Sequence, residues 1–432
     1  MKKQFFYAIL LSSLAFPAMA QVGSTLSPYS QFGLGKLADQ SLGFNRGMSG
    51  VGIGLRGGQM VNIQNPASFS AVDSLTMLFD MGVSGQITNF KEGGKKVNAH
   101  TADFDYIVGQ FRVMPRMGVT VGIIPFSHVG YNYKSVEYVG GNRANTATSS
   151  YKGTGGLNQG FVGIGWEPVN GFSVGVNFSY LWGNIERTAT IVNSDSYVNT
   201  ETQTYSTSIG SYKLDFGLQY QKAVSKKDLL TVGAVVGLGH NLNATAEFLR
   251  TNTNTQTSVS FTKKDSVENA FALPFTFGVG ASLVHNNSLT VAADYSFQKW
   301  GNLDYPRVNA ISSRYELASG LLSDRHRIAV GADWLPCGDR YDRRFLHRVH
   351  YRGGISYATP YYKIGTHDGP KELTLSAGFA LPITNSWNNR SFVNISAQWV
   401  RTSQPSFITE NTFRINIGLT FNERWFAKWK VD

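Results

Sequence analysis

After residue 74, apolar and polar residues alternate almost to the end of the chain. In the last such stretch Phe413, Ile415, Ile417, Leu419 and Phe421 alternate with Arg414, Asn416, Gly418, Thr420 and Asn422. Over 372–383, Leu373, Leu375, Ala377, Phe379 and Leu381 alternate with Thr374, Ser376, Gly378 and Ala380. Over 172–182, Phe172, Val174, Val176, Phe178, Tyr180 and Trp182 share one face, and Ser173, Gly175, Asn177 and Ser179 the other. Period two marks a strand whose two faces meet different surroundings. Repeats of about ten residues parted by tight turns suit a transmembrane barrel, with apolar side chains toward lipid and small or polar ones toward the lumen. No stretch approaches the roughly 18 consecutive apolar residues of a spanning helix.

The alternation predicts an all-β fold: a transmembrane antiparallel barrel of fourteen strands. They run at roughly 75–90, 98–112, 116–136, 158–166, 172–190, 201–221, 228–250, 270–284, 288–300, 324–336, 347–364, 371–384, 389–403 and 410–424. The barrel must close, because a sheet edge in hydrocarbon leaves backbone groups unsatisfied. Connections after strands 2, 4, 6, 8 and 12 are short: Met114-Pro115, EPVNG, VSKKD, HNN and NSWNN. Those after strands 3, 5, 7 and 9 are long and polar, as in NTNTQTS and 301–323. Short turns belong in the periplasm and long loops outside. The connection 337–346 is long for a turn, and 91–97, 365–370 and 404–409 are short for outer loops. Trp300, Trp334, Trp399 and Trp425 fall near strand ends, where an aromatic girdle belongs.

The chain begins with Lys2 and Lys3, an apolar run from Phe5 to Phe16, and Ala18-Met19-Ala20. This is the pattern of a secretory signal peptide, residues 1–20. The single cysteine, Cys337, leaves no intrachain disulfide. The formal net charge is +11. Its basic residues are scattered or sit in turns, and with an export signal they do not indicate nucleic acid.

Residues 21–74 do not alternate and are rich in glycine, from Gly33 to Gly58. A fourteen-stranded barrel has a lumen wider than side chains alone fill, so this segment is expected to be a luminal plug. Pro66 fixes its own φ and pushes Asn65 to an extended conformation, making an elbow where the plug hands over to the barrel at 75–432. The stretch RGMSGVGIGLRGGQMVNIQNPASFS resembles the N-terminal hatch of the FadL/TodX outer-membrane channels for hydrophobic compounds. The motif is Asn65, Pro66 and Ala67. The ending RINIGLTFNERWFAKWKVD resembles those of Bacteroidetes members.

The resemblance implies passive uptake of fatty-acid-like or aromatic molecules, with the plug as gate and a side exit at a kinked third strand. In this chain that strand reads MGVTVGIIPFSHVGYNY, with Pro125 between Gly122 and Gly130. A mid-strand proline marks a bulge or an edge. Two readings stand: a lateral opening, or an ordinary bulge near the outer rim. The family also contains accessory barrels of secretion complexes (PorV-like), so a non-transporting subunit of a secretion or assembly complex is the alternative. Expected partners are a hydrophobic small molecule, outer-membrane lipid, the barrel-assembly machinery during biogenesis and, on the alternative, secretion-complex subunits.

Strand phase places Asp80, Asp105, Asp215, Asp294, Asp333 and Arg352 on the inward face. All lie within roughly seven residues of a periplasmic strand end, about 3.3 Å each. They are expected to anchor the plug, with Arg46 and Arg56 as plug partners. There is no Cys/His metal spacing, and neither an enzyme nor a metal or other cofactor is expected. The basic run Arg340, Arg343, Arg344 and Arg348 reads as a solvated turn.

Overall fold

The computed structural model describes residues 27–74, 76–139, 145–309, 311–338, 342–383 and 391–424. The expected signal peptide, Arg340, the NSWNN turn and Trp425 lie outside the described residues. Fourteen antiparallel strands form one closed barrel. They are β1 (Thr76–Glu92), β2 (Lys95–Met114), β3 (Met117–Tyr138), β4 (Thr146–Val169), β5 (Phe172–Asn193), β6 (Thr200–Ala223), β7 (Asp228–Gly237 with Ala244–Thr253) and β8 (Ser260–Val267 with Phe275–His285). The circuit continues with β9 (Leu289–Lys299), β10 (Arg325–Trp334), β11 (His350–Ala358), β12 (Lys371–Ile383), β13 (Ser391–Ser403) and β14 (Thr409–Arg424). β14 pairs with β1 from Arg424↔Thr76 to Thr409↔Lys91, which closes the wall.

The alternation in sequence becomes an inside and an outside. Phe178, Phe216, Val279, Ile355, Phe413 and Ile417 point outward and are exposed. Their neighbours Asn177, Ser179, Ser282, Asn416 and Thr420 are buried. That inversion is stable only where the outer surroundings are lipid.

Strand lengths depart from the sequence reading at the loop end. The stretch 137–157, left outside the strands by the sequence, is mostly wall: β3 runs to Tyr138, β4 starts at Thr146 and β5 reaches Asn193. Beyond the hydrocarbon the outward face need not be apolar, so alternation fades. Threonines such as Thr188, Thr190 and Thr202 still suit a pleated surface. β7, read as continuous over 228–250, is broken over 238–243, and β8, read from 270, has a further stretch Ser260–Val267 before a break over 268–274. Leu242, Phe271 and Leu273 of these breaks turn into the lumen and are buried there.

They join an apolar cluster that covers the lumen at the loop end. Tyr29 and Leu34 of the plug pack with Leu157, Leu181 and Ile209 of the wall and with Trp300, Tyr361 and Tyr362 of the loops. The connection 300–324 also folds inward, through a hairpin pairing Tyr305–Val308 with Tyr315–Ala318. Trp300 is 2 % exposed, packs tilted against Tyr361 with ring centroids 4.8 Å apart and donates its indole N–H to Gln298. Trp300→Ala is expected to cost about 3–5 kcal/mol. The check is a gel-mobility melt, in which the compact barrel form should be lost at a lower temperature than in the parent protein.

Candidate functional site

The plug fills the lumen in three layers, and each answers to local sequence. Nearest the turn end, Pro66–Ala71 form a 3-10 helix capped by Asn65. The Asn65 carboxamide is fully used. Its Oδ1 accepts from the Ala67 N–H at 3.1 Å, and its Nδ2 donates to the carbonyls of Ile53 (2.9 Å) and Leu218 (3.1 Å). One side chain thus ties helix start, plug loop and barrel wall. The wall makes room with glycine: a Cβ at Gly217 would strike Asn65 and Pro66, and one at Gly175 would strike Pro66 and Ala67. No side chain larger than hydrogen fits at those two positions. Phe69, with no exposed surface, completes this layer, and its carbonyl accepts from Gln110 at 3.1 Å.

In the middle layer the glycine-rich stretch 43–58 bonds to the wall. Arg46 pairs with Asp105 at 2.5 Å and donates to Asn416 at 3.0 Å. Asp294 accepts from the backbone N–H groups of Gly52 (2.6 Å) and Ile53 (2.9 Å). Arg56 pairs with Glu167 at 2.7 Å. Asp80, Asp215 and Asp333 turn to the wall instead. Asp80 holds Tyr106 and Thr420, Asp215 pairs with Lys213, and Asp333 pairs with His350 and Arg352. Arg352 also donates to Asn394 at 2.7 Å. Each of these acids finds a strand neighbour closer than any plug cation, a contact that phase alone does not reveal.

Sequence reasoning missed an equal share of the plug contacts. Gln219 donates to the carbonyls of Ile53 and Leu55, Gln398 to that of Arg46, and Arg327 to those of Ser49 and Gly50. The available signal was an inward glutamine within an otherwise lipid-facing strand.

The third layer concerns the wall itself. β2 and β3 pair only from Ile107↔Ile123 down to Met114↔Met117, so the remaining loop-side stretch of β2 pairs with β1 alone. The ladder between β3 and β4 slips between Pro125 and Ser127. Above Pro125 the freed edge of β3 takes the plug instead. Lys36 and Leu37 pair with His128 and Ser127, and Gln40 donates to the Pro125 carbonyl at 2.9 Å. Gly130 accepts from the Ser27 N–H and donates to Ser30 Oγ, both at 3.1 Å. Gly122 lies lower, packed against Ile107, Val108 and Phe161. The notch in the wall is therefore occupied by residues 27–40 of the same chain.

Between the apolar cover and the plug lies a cavity of about 330 Å³. It is lined by charged groups such as Lys36, Asp39, Arg325 and Glu372 and by apolar ones such as Phe126, Val236, Phe277 and Phe297. Burial pushes the Asp39 carboxyl up, but the Arg46 and Arg327 guanidiniums outweigh it and hold the group below its usual range. With the folded value lowered, its stabilisation of the plug is present above the ordinary carboxylate range. It is lost as the pH falls through the folded value.

Set beside solved structures, the chain is similar to a Pseudomonas aeruginosa FadL homologue (TM-score 0.61, 9 % identity, 90 % of this chain and 99 % of that one). It is similar as well to the P. putida toluene transporter TodX (TM-score 0.60, 12 % identity, 90 % and 100 %). The Ralstonia pickettii toluene transporter TbuX gives a TM-score of 0.59 at 14 % identity, over 90 % and 99 %. The fold is thus that of these outer-membrane hydrocarbon channels. A family model described as BamG matches residues 1–432. No curated protein sequence matches.

Asn65→Ala removes three bonds at a site with no exposed surface, and each orphaned partner costs roughly 1–3 kcal/mol. The plug should loosen before the barrel melts. Trypsin added from the turn end should cut at Arg56 in the variant under conditions that leave the parent intact. Asp105→Asn leaves Arg46 buried beside a neutral partner, and a cost of about 3–5 kcal/mol is expected. A chemical-denaturation midpoint unchanged by that substitution would show that the pair holds nothing.

Proposed function

The chain belongs to the BamG family, and we propose that it is a non-conducting accessory barrel in an outer-membrane complex that assembles or secretes proteins. The observation that carries this reading is the lumen. Its free space mixes charged groups with apolar side chains, and it is bounded by the bonded plug below and the apolar cover above. An apolar solute entering it would displace water that solvates those charged groups, at a cost of several kcal/mol. The family name supports a barrel-assembly setting. The turn end would face the periplasm and the loop end the outside.

On this proposal the wall is the working part. The closed plug keeps the barrel rigid and impermeable while partners dock on its surfaces. Purification of the tagged chain from membranes in mild detergent should recover it with other subunits of an assembly complex. Mass spectrometry should find no stoichiometric hydrophobic small molecule, and planar bilayers containing the chain should not conduct. Recovery alone with a bound hydrocarbon would sink the idea.

A second reading is favoured by one feature, the notch beside Pro125. On it, residues 27–40 withdraw from the β3 edge, and a hydrophobic molecule passes sideways into lipid. Cysteines at Leu37 and Ser127 face each other across the ladder, within the reach of a disulfide. Locking them should leave assembly of client barrels unchanged on the accessory reading. On the channel reading it should abolish uptake of a hydrophobic solute.

A further inference from the structure

The outer wall carries an uneven ring of charge where its apolar band ends at the loop side. β12, β13, β14, β1 and β2 are consecutive around the barrel. On their outward faces the last apolar side chains are Leu373, Trp399, Phe413, Ile87 and Phe104. Within a few outward positions above these stand Lys371, Arg401, Lys91 and Lys96, all exposed. Arg401 lies opposite Leu373 and so diagonal to Lys371, about 7–8 Å away at that spacing. Lys91 and Lys96 lie directly opposite each other. Like charges placed so are destabilising unless an anion joins them.

Among the described residues none of the four cations has a salt bridge. No carboxylate takes an outward position on the loop-side half of these strands, again among the described residues. The rest of the wall mixes both signs. There Glu186, Glu247 and Glu268 line an outer hollow beside β5–β7, Lys264 is already paired with Glu247 at 2.8 Å, and Lys134, Lys152 and Lys299 are exposed.

We propose that the wall from β12 to β2 binds the headgroup phosphate of an acylated glycolipid of the lipopolysaccharide class. Its acyl chains lie on the apolar band below. The assignment rests on the outer-membrane placement of the barrel, with the loop end outside, but not on which of the two functional readings holds. The chemistry is a fit of charge and depth. Arg401 offers a planar fork for phosphate oxygens. Lysines with exposed ammonium groups at headgroup depth each add to the attraction of an anionic lipid surface. The apolar row beneath distinguishes a lipid from a free phosphate ion.

The test uses the full mature barrel in phosphatidylcholine nanodiscs, titrated with lipopolysaccharide. The arms replace it with phosphatidylglycerol or with inorganic phosphate. Lipopolysaccharide should bind stoichiometrically. The variant with Lys371→Gln, Arg401→Gln, Lys91→Gln and Lys96→Gln should bind it roughly tenfold more weakly or worse. Lys226→Gln with Lys227→Gln, in the exposed turn between β6 and β7 at the other end of the barrel, should match the parent. Heat-modifiable gel mobility reports whether each variant is folded. Equal binding by the fourfold variant overturns the proposal, as does equal binding of phosphatidylglycerol or of inorganic phosphate by the parent. Loss of complex partners in pull-downs would strike the accessory reading and leave this result untouched.

Discussion

Hydrocarbon offers no hydrogen bonds, and that single fact governs this molecule. Every backbone N–H and C=O at membrane depth needs a partner within the protein. Fourteen strands meet the demand by closing β14 onto β1. They fail to meet it at one place, above Pro125, where a proline cannot donate and the ladder to β2 ends. The chain repairs the defect itself. Ser27, Lys36, Leu37 and Ala38 hand backbone groups to the freed edge of β3. The plug is thereby part of the wall as well as its filling.

The same scarcity of partners explains the lumen. A plug without regular secondary structure carries many unsatisfied amides, and apolar walls would leave them orphaned. The wall answers with Gln110, Gln219, Gln398, Asp294 and Arg327, each aimed at a plug backbone group. A lumen built to hold backbone is necessarily polar. It suits a sealed barrel better than a path for apolar molecules, even though the fold is shared with hydrocarbon channels. Where the plug meets the loop end, the chemistry reverses: Tyr29 and Leu34 are buried among aromatic side chains that shut the lumen off from the outside.

Seen from outside, the wall is uneven in charge. From β12 to β2 it presents Lys371, Arg401, Lys91 and Lys96 with no outward carboxylate on the loop-side half among the described residues, whereas the rest mixes both signs and pairs Lys264 with Glu247. The polar groups of the interior are spent on the plug, so the charges left for outside contacts are those of the wall.

The period-two alternation by itself determined the strand count, the closed barrel and which residues face lipid. Side chains on alternate positions must face alternate media, and the medium here is uniform along each strand. It determined too that Asp105 and Asp294 point into the lumen. The glycine-rich stretch and the Asn65-Pro66-Ala67 elbow marked the plug for the same local reason: they fix backbone shape. Tertiary structure alone decided the partners. Asp215 and Lys213 are two residues apart on one strand, whereas Arg56 and Glu167 are 111 positions apart. Period two places both kinds of pair on a face and ranks neither. Nor could it show β4 extending through 146–157, because beyond the hydrocarbon the outward face is no longer held apolar. And it could not show that the edge freed by Pro125 is filled by residues 27–40, since a backbone hydrogen bond across the lumen leaves no mark on the side chains that make up a sequence.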